Sequence, residues 1–133
     1  MTANMQNLAA RAANIATATF ANALDDFGLA DTMILPTIKA VAPGMRFAGP
    51  AVTVRESVGP VGTYTSADFK VGAMIDAAGP GDVVVVAGEG ANISTWGGMA
   101  SFAAKKKGVA GLLADVGVRD VEEMVEFEFS VFA

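Results

Sequence analysis

The spacing of apolar residues divides this chain into alternating helices and strands. Apolar side chains at helical spacing predict helices over Met5–Phe27 (as one helix or two), Ser66–Ala78, Gly98–Lys107 and Val121–Phe127. Short apolar runs predict strands over Phe47–Glu56, Val83–Val86, Val109–Asp115 and Phe129–Phe132. Helices and strands that alternate along a chain are typical of an α/β fold.

Glycine and proline residues mark the boundaries of these elements. Gly28 and Gly108 stand where two helical patterns stop, and glycine commonly ends helices. The segment Gly79–Asp82 is a predicted turn. Pro50 interrupts the first strand and predicts an edge position or a bulge, because proline cannot donate a ladder hydrogen bond. We interpret Asp31–Pro43 as a connector.

The most clearly defined unit is a strand–helix–strand segment over Asp82–Asp115. Val83–Val86 lacks polar alternation, which predicts a central strand that is buried on both faces. A crossover helix of this kind almost always joins parallel strands with right-handed geometry. The loops after the two strands therefore lie at one edge of the sheet, where ligands bind in open α/β sheets.

Composition restricts the chemistry that this chain can perform. Its 133 residues are the size of one domain, and a hydrophobic content of 53% is enough for a core. The net charge of −5 and a single basic run, Lys105–Lys107, argue against a nucleic-acid partner. The chain has no cysteine and no histidine, which excludes thiolate and imidazole chemistry. Any metal site must use carboxylates, carbonyls and water, which favours Mg²⁺ or Mn²⁺.

The sequence shows no sign of membrane insertion or targeting. No apolar run approaches the roughly 20 residues that a membrane helix needs. The N-terminus lacks the basic start of a targeting segment, since its first basic residue is Arg11. We therefore expect a cytoplasmic protein that does not contact membranes.

Two short segments carry the candidate chemistry. Gly97-Gly98 opens a predicted helix, where N–H groups without side chains can approach a ligand carboxylate closely; the alternative is a flexible turn. Arg119-Asp120 follows a strand, and this pair could donate to a keto oxygen and bind a divalent cation; the alternative is a helix N-cap beside a surface arginine.

Three other features are less specific. The segment Gly88-Glu89-Gly90 resembles part of a dinucleotide fingerprint, but Ile93 stands in place of the third glycine, which argues against nucleotide binding. Glu89 is a possible second carboxylate near the metal. Asp115 could orient Arg119 or be a paired buried acid, and the sequence does not decide between these two roles.

Several motifs in order resemble the RraA-like family, which contains the 4-hydroxy-4-methyl-2-oxoglutarate aldolases and related oxaloacetate decarboxylases. The resemblance covers most of the chain. The matching segments are Thr17–Leu24, Ala48–Val54, Pro80–Val86, Trp96–Ala100, Gly108–Gly111 and Val118–Asp120. The last of these matches the family's active-site motif Val-Arg-Asp.

The resemblance implies a fold, an assembly and a set of functional roles. The fold is a three-layer β/β/α sandwich of swivelling-domain type, assembled as a homotrimer or homohexamer with sites near subunit interfaces. Asp120 is implied as the ligand of Mg²⁺ or Mn²⁺. Arg119 is implied as the catalytic group and, with the backbone of Gly97, Gly98, Met99 and Ala100, as a substrate contact. Family members continue beyond the point that corresponds to Ala133, so we expect a single domain over residues 1–133 that lacks this C-terminal extension.

The implied activity is a metal-dependent lyase reaction on a small 2-oxo acid. Cleavage of 4-hydroxy-4-methyl-2-oxoglutarate and decarboxylation of oxaloacetate share a pyruvate enolate, so one site could perform both reactions. There are two alternatives. The first is a non-catalytic protein with the same fold that regulates ribonuclease E, and the second is a structural remnant in which truncation has destroyed the site. Within the family, the regulator branch resembles members that lack the Arg-Asp pair. The presence of Arg119-Asp120 in this chain therefore favours the enzyme branch.

Overall fold

A four-stranded parallel sheet forms the centre of this protein. The computed structural model describes residues 2–29, 31 and 37–133. The sheet contains, in spatial order, β1 (Ala51–Arg55), β2 (Val83–Ala87), β4 (Gly111–Ala114) and β6 (Ser130–Phe132). A second, two-stranded parallel sheet contains β3 (Ser94–Trp96) and β5 (Gly117–Val118). The helices are α1 (Thr2–Ala12), α2 (Thr17–Asp26), α3 (Val71–Ala77), α4 (Gly98–Lys107) and α5 (Val121–Glu126).

The predicted strand–helix–strand unit is confirmed. Strand β2 lies between β1 and β4 and is parallel to both, and Val84 and Val86 on it are almost completely buried. Helix α4 has the predicted bounds and ends at Gly108, whose φ of +83° lies in the left-handed region that favours glycine. Pro50 immediately precedes β1, which is an edge strand, as the proline predicted.

The core forms where helices α3, α4 and α5 meet the strands. Each of these helices connects two neighbouring strands of the main sheet, and α4 contacts both α3 and α5. Their buried side chains join those of the sheets in one hydrophobic cluster, which includes Met74, Ala104, Met124, Val84, Leu112, Val131 and Trp96. Two sheets and a row of helices confirm the predicted β/β/α fold class.

The N-terminal helical pattern forms two helices, and part of the connector after them lies outside the described residues. Helices α1 and α2 are separated near Ala16, and Gly28, with a φ of +69°, follows the end of α2. Residues 32–36 of the predicted connector are outside the described part of the chain. Within the described ranges, no helix is long and apolar enough to cross a membrane.

Two predicted elements begin four or five residues later than expected. The helix expected from Ser66 begins at Val71, because residues 66–68 form a separate turn. The Asp68 carboxylate closes this turn by accepting hydrogen bonds from the Thr65 N–H (2.8 Å) and hydroxyl (2.9 Å), and these bonds lower the pKa of Asp68. The first strand begins at Ala51 rather than Phe47, after the Gly49-Pro50 segment.

The sequence patterns also missed the small sheet formed by β3 and β5. Its strands contain only three and two residues, which is too short for a period to be recognised. Strand β3 follows β2 along the chain, and β5 follows β4, so the small sheet lies beyond the carboxyl ends of two neighbouring strands of the main sheet.

Candidate functional site

The small sheet brings the two predicted site segments together. Trp96 and Val118 are paired in parallel strands, and both strands end there. The next residues, Gly97 and Arg119, therefore leave the sheet side by side. The Arg119 N–H donates a hydrogen bond to the Trp96 carbonyl (3.0 Å), which extends the pairing by one further residue.

The Asp120 carboxylate lies against the beginning of α4. Asp120 adopts left-handed backbone angles (φ 60°, ψ 44°), a conformation that aspartate tolerates better than most residues. Its side chain makes no capping hydrogen bond to α5, the helix that it precedes. Instead, Oδ2 accepts a hydrogen bond from the Gly98 N–H (3.2 Å). Asp120 therefore occupies the N-cap position of α5 as predicted, but its carboxylate caps α4 instead.

Glycine at position 97 permits this close approach. A Cβ atom at position 97 would lie 2.6 Å from Asp120 Oδ2 and 3.3 Å from Arg119 Nε. Because real Cβ atoms essentially never approach another atom within 3.0 Å, any side chain there would displace the carboxylate. Gly97 therefore places the peptide backbone directly beside the arginine and the aspartate.

The site is a shallow, accessible depression of about 150 Å³. The Arg119 side chain is 76% exposed and that of Asp120 is 45% exposed, and Arg119 Nε lies 3.7 Å from Asp120 Oδ2. The depression is lined by all six predicted site residues: Gly97, Gly98, Met99, Ala100, Arg119 and Asp120. Its other walls come from Phe69, Val71, Ser94, Thr95 and Trp96.

The N–H groups in the first turn of α4 are only partly available to a ligand. The Gly98 N–H already donates to Asp120. The N–H groups of Met99 and Ala100 have no hydrogen-bond acceptor within the described residues. These two donors lie at the positive end of the α4 dipole, where an anion is favoured.

A chain of buried hydrogen bonds holds the backbone of Gly97 in place. The Trp96 indole N–H donates to the Ser101 hydroxyl (3.0 Å), and this hydroxyl donates to the Gly97 carbonyl (3.0 Å). Ser101 and Trp96 are both almost completely buried, and the Trp96 ring stacks on Phe129 with a centroid distance of 6.0 Å. Ser101 was not recognisable from the sequence, because a lone serine within a helix carries no specific signal.

Glu56, Thr95 and Glu123 are further polar residues at or beside the site. The Glu56 carboxylate accepts a hydrogen bond from the Thr95 hydroxyl through Oε1. Its Oε2 atom is buried and has no hydrogen-bond partner in the described part of the chain. Glu123 lies over the backbone of Gly98. Glu56 stands at the end of a predicted strand. This position alone could have indicated that Glu56 lies near this edge of the sheet.

Two acidic residues considered from the sequence are not brought into the depression. Glu89 forms an ion pair with Arg55 (2.7 Å), and both side chains are largely exposed. Asp115 accepts a hydrogen bond from the Gly88 N–H (2.6 Å) and joins the loops that follow β2 and β4. Asp115 forms no ion pair with Arg119 within the described residues and is not buried, so both roles considered for it are wrong.

Asp120 fits a cation that takes few ligands from the protein. Within the described residues, no group of three or more acidic, histidine or cysteine side chains could enclose a metal ion. Mg²⁺ commonly retains several water ligands and binds one or two carboxylates together with oxygen atoms of the substrate. One half-exposed carboxylate at an open depression suits this mode of binding and does not suit a closed structural site.

A larger cleft of about 590 Å³ lies beside β1 and α3. Its walls include Val54, Ala73, Met74 and Ile93, with Arg55 and Lys70 also contributing. It contains none of the six predicted site residues and borders the candidate site at Phe69. Volume alone therefore does not identify the place where the candidate chemical groups converge.

These observations define a mixed α/β domain in which an arginine–aspartate pair lies against a glycine-rich helix start. This chain belongs to the RraA-like family, described as Aldolase/RraA, whose sequence profile matches residues 17–133. The resemblance inferred from the motifs is thereby confirmed. The family includes aldolases and decarboxylases as well as ribonuclease E inhibitors.

Individual proteins are also similar to this chain. An uncharacterized protein of Methanocaldococcus jannaschii is 50% identical over 52 residues, which are 38% of this chain and 25% of that protein. The crystal structure of an uncharacterized protein from Pseudomonas syringae pv. tomato matches with a TM-score of 0.76 and 26% identity, over 96% of this chain and 55% of that chain.

A third similar protein is Streptomyces coelicolor RraAS2, described as an unusual member of the RNase ES inhibitor RraA protein family. Its structure matches with a TM-score of 0.72 and 26% identity, over 90% of this chain and 58% of that chain. This chain thus spans only a little over half the length of the two solved structures.

Proposed function

We propose that this protein is a divalent-metal-dependent lyase that releases pyruvate from small 2-oxo acids. The substrates are 4-hydroxy-4-methyl-2-oxoglutarate or closely related oxo acids, oxaloacetate, or both. The observation that carries the proposal is the placement of Arg119 and Asp120 against Gly97 and Gly98. Membership of a family that includes aldolases supports it.

Each group at the depression has a role in this proposal. The N–H groups of Met99 and Ala100 bind the substrate carboxylate at the positive end of α4. Arg119 donates hydrogen bonds to the keto oxygen, on which negative charge develops as the carbon–carbon bond breaks. Because its side chain is largely exposed, Arg119 can reach a ligand without rearrangement of the core.

Asp120 would hold the divalent cation, Mg²⁺ or Mn²⁺. When bound, such an ion supplies Lewis-acid stabilisation of a developing oxyanion. The hydrogen bond from the Gly98 N–H fixes the orientation of the Asp120 carboxylate through Oδ2. Assembly as a homotrimer or homohexamer is part of the proposal, because the depression is open and a neighbouring subunit could complete it.

Pyruvate release from oxaloacetate is the most direct test. Decarboxylation needs no base to deprotonate a hydroxyl group, so the assay probes only the groups identified at the depression. We expect turnover that depends on Mg²⁺ and exceeds the rate of a protein-free blank at the same Mg²⁺ concentration. Asp120→Asn should abolish this turnover, and Arg119→Gln should reduce kcat about 10²-fold, as for the loss of one transition-state donor.

Matched variants distinguish these roles from general charge effects. Glu122→Gln removes one exposed carboxylate near Asp120, and Arg55→Gln removes an exposed guanidinium outside the depression. Both controls should retain turnover close to that of the wild type. Full turnover by the Asp120→Asn variant would refute the proposed lyase mechanism.

A regulatory function on the same fold is the second candidate, and it is favoured by the similarity to RraAS2. A regulator would bind a ribonuclease of the E type and show no metal-stimulated turnover of oxo acids. The Arg119-Asp120 pair would then be dispensable for binding. Ribonuclease binding that survives Asp120→Asn, together with absent lyase turnover, would establish this alternative.

A further inference from the structure

The space above the Gly98 backbone is filled by the side chain of Glu123. A Cβ atom at position 98 would lie 1.6 Å from Glu123 Oε2 and 2.5 Å from Glu123 Cδ. The carboxylate therefore occupies the place where a side chain of residue 98 would begin. Glycine at this position does more than open the helix start to ligands, because it accommodates an acidic group from α5.

The geometry of α5 brings Glu123 to this place. Glu123 lies in the first turn of α5, and its N–H donates a hydrogen bond to the Asp120 carbonyl (3.1 Å). This hydrogen bond keeps the two residues close together, although Asp120 itself precedes α5 with left-handed backbone angles. The carboxylates of Asp120 and Glu123 consequently both contact the first residue of α4.

The charges at this helix start are unbalanced. Arg119 contributes one positive charge, whereas Asp120 and Glu123 contribute two negative charges, and Glu123 forms no ion pair within the described residues. An anion approaching the N–H groups of Met99 and Ala100 thus meets an excess negative charge. A divalent cation would reverse the sign of the local charge, since one excess negative charge becomes one excess positive charge.

We propose that Glu123 makes the binding of an anionic oxo acid conditional on the divalent cation. This proposal rests on the function proposed above and assigns Glu123 as a residue that determines ligand specificity. Without the cation, the Glu123 carboxylate repels an anion from the helix start. With the cation, the same carboxylate increases the affinity for the cation, and the oxo acid binds second.

Binding of oxalate tests this role without relying on turnover. Oxalate carries two adjacent carboxylates and resembles the planar enolate of a 2-oxo acid. Its affinity can be measured by calorimetry, or by the fluorescence of Trp96, the only tryptophan in the chain and the neighbour of Gly97. We expect Mg²⁺ to increase the affinity of the wild type for oxalate at least tenfold over that in EDTA.

The Glu123→Gln variant keeps the shape of the side chain and removes its charge. We expect it to bind oxalate in EDTA at least fivefold more tightly than the wild type, and to bind Mn²⁺ alone several-fold more weakly. Glu122→Gln is the matched control, because it removes the same charge from the adjacent, exposed position of α5. This control should bind both probes like the wild type.

Gly98→Ala provides an independent test of the geometry. The added methyl group would lie 1.6 Å from Glu123 Oε2 and 2.9 Å from Glu123 Cβ, so it displaces the carboxylate and requires a small shift of α5. The effect of Glu123→Gln on oxalate binding in EDTA should therefore be several-fold smaller in the Gly98→Ala background. Non-additivity of this kind is expected for residues that are in contact or coupled through a shared backbone shift, and not for distant, independent sites.

The outcomes separate this proposal from the proposed lyase function. Equal oxalate affinities of the Glu123→Gln and Glu122→Gln variants in EDTA would overturn the role of Glu123, even if oxaloacetate is turned over. A selective effect of Glu123→Gln would support it, even if no variant turns over oxaloacetate. Failure of all variants to bind oxalate, with or without Mg²⁺, would overturn both proposals.

Discussion

The two ends of this chain use hydrophobic residues in opposite ways. Within the described residues, every buried hydrophobic side chain lies between Met74 and Val131. Helix α2 has no buried residue, and large apolar side chains such as Leu8, Phe20 and Phe27 remain exposed at the N-terminal end. The two regions therefore differ in tertiary packing, although both contain regular helices.

This difference shows where the structural support of the candidate site lies. Arg119 and Asp120 are exposed, but the segments that carry them are joined to Trp96, Ser101 and Phe129 in the packed region. An accessible site is thereby held by a buried scaffold. The N-terminal helices contribute no residue to the lining of the depression.

The largest expected effect comes from the packed region. Phe129 is 1% exposed and stacks on Trp96, so Phe129→Ala should create a cavity beside Trp96, which lines the depression. We expect a loss of about 3–5 kcal/mol in the free energy of unfolding. Urea unfolding followed by circular dichroism measures this change, and a loss below 1 kcal/mol would contradict the packing described here.

A smaller effect is expected from the buried hydrogen-bond chain. Ser101→Ala leaves the indole N–H of Trp96 buried without its acceptor. The expected loss is about 1–3 kcal/mol in the free energy of unfolding. The control is Ser57→Ala at an exposed position, which should change stability by no more than about 0.5 kcal/mol. Equal effects of the two substitutions would contradict a supporting role for Ser101.

Substitution of Gly97 should separate function from stability. The methyl group of Gly97→Ala would displace the Asp120 carboxylate, while the extended backbone at this position (φ −149°) is accessible to alanine. We expect at least a tenfold loss of Mg²⁺-dependent pyruvate release, with a destabilisation of about 1 kcal/mol, the low end of the usual cost of an inserted methyl group, because the displaced carboxylate is half-exposed.

Gly72→Ala is the control for this substitution. Gly72 lies in α3, and no atom other than those of its chain neighbours and the backbone of α3 lies within 4 Å of the position of a new Cβ atom. Alanine there should increase the free energy of unfolding by up to about 1 kcal/mol, because alanine is a better helix former than glycine. Pyruvate release should be unchanged, and a comparable loss in both variants would argue against the Asp120 contact.

The smallest effect is expected at the N-terminal end. Phe27 is 80% exposed, so Phe27→Ala removes few contacts although it deletes the same side chain as Phe129→Ala. Its free energy of unfolding should remain within about 0.5 kcal/mol of the wild type. A loss comparable to that of Phe129→Ala would show that the N-terminal helices are packed in solution, for example against a second subunit.

Local sequence patterns were sufficient for the central part of the fold. The uninterrupted apolar run Val83–Val86 indicated the buried central strand, and Gly108 indicated the end of α4. These features depend on neighbours in sequence, so one chain is enough to recognise them. The choice of the six candidate site residues also followed from their positions after predicted elements and from the family motifs, and the structure brings all six to one depression.

Other features depended on contacts between distant parts of the chain. The pairing of Trp96 with Val118 joins residues that are far apart in sequence, and its strands are too short to be recognised by a pattern. The αL conformation of Asp120 turned an expected cap of α5 into a cap of α4. Likewise, only the packing of α5 against α4 placed Glu123 over Gly98.

Apolar periodicity and glycine positions thus specified the strands β2, β4 and β6 and the helices α4 and α5, because backbone preference and burial act over a few neighbouring residues. The orientation of acidic side chains at the start of α4 was settled by long-range packing, since it depends on how two parallel strands end side by side and on the space that Gly97 and Gly98 leave open.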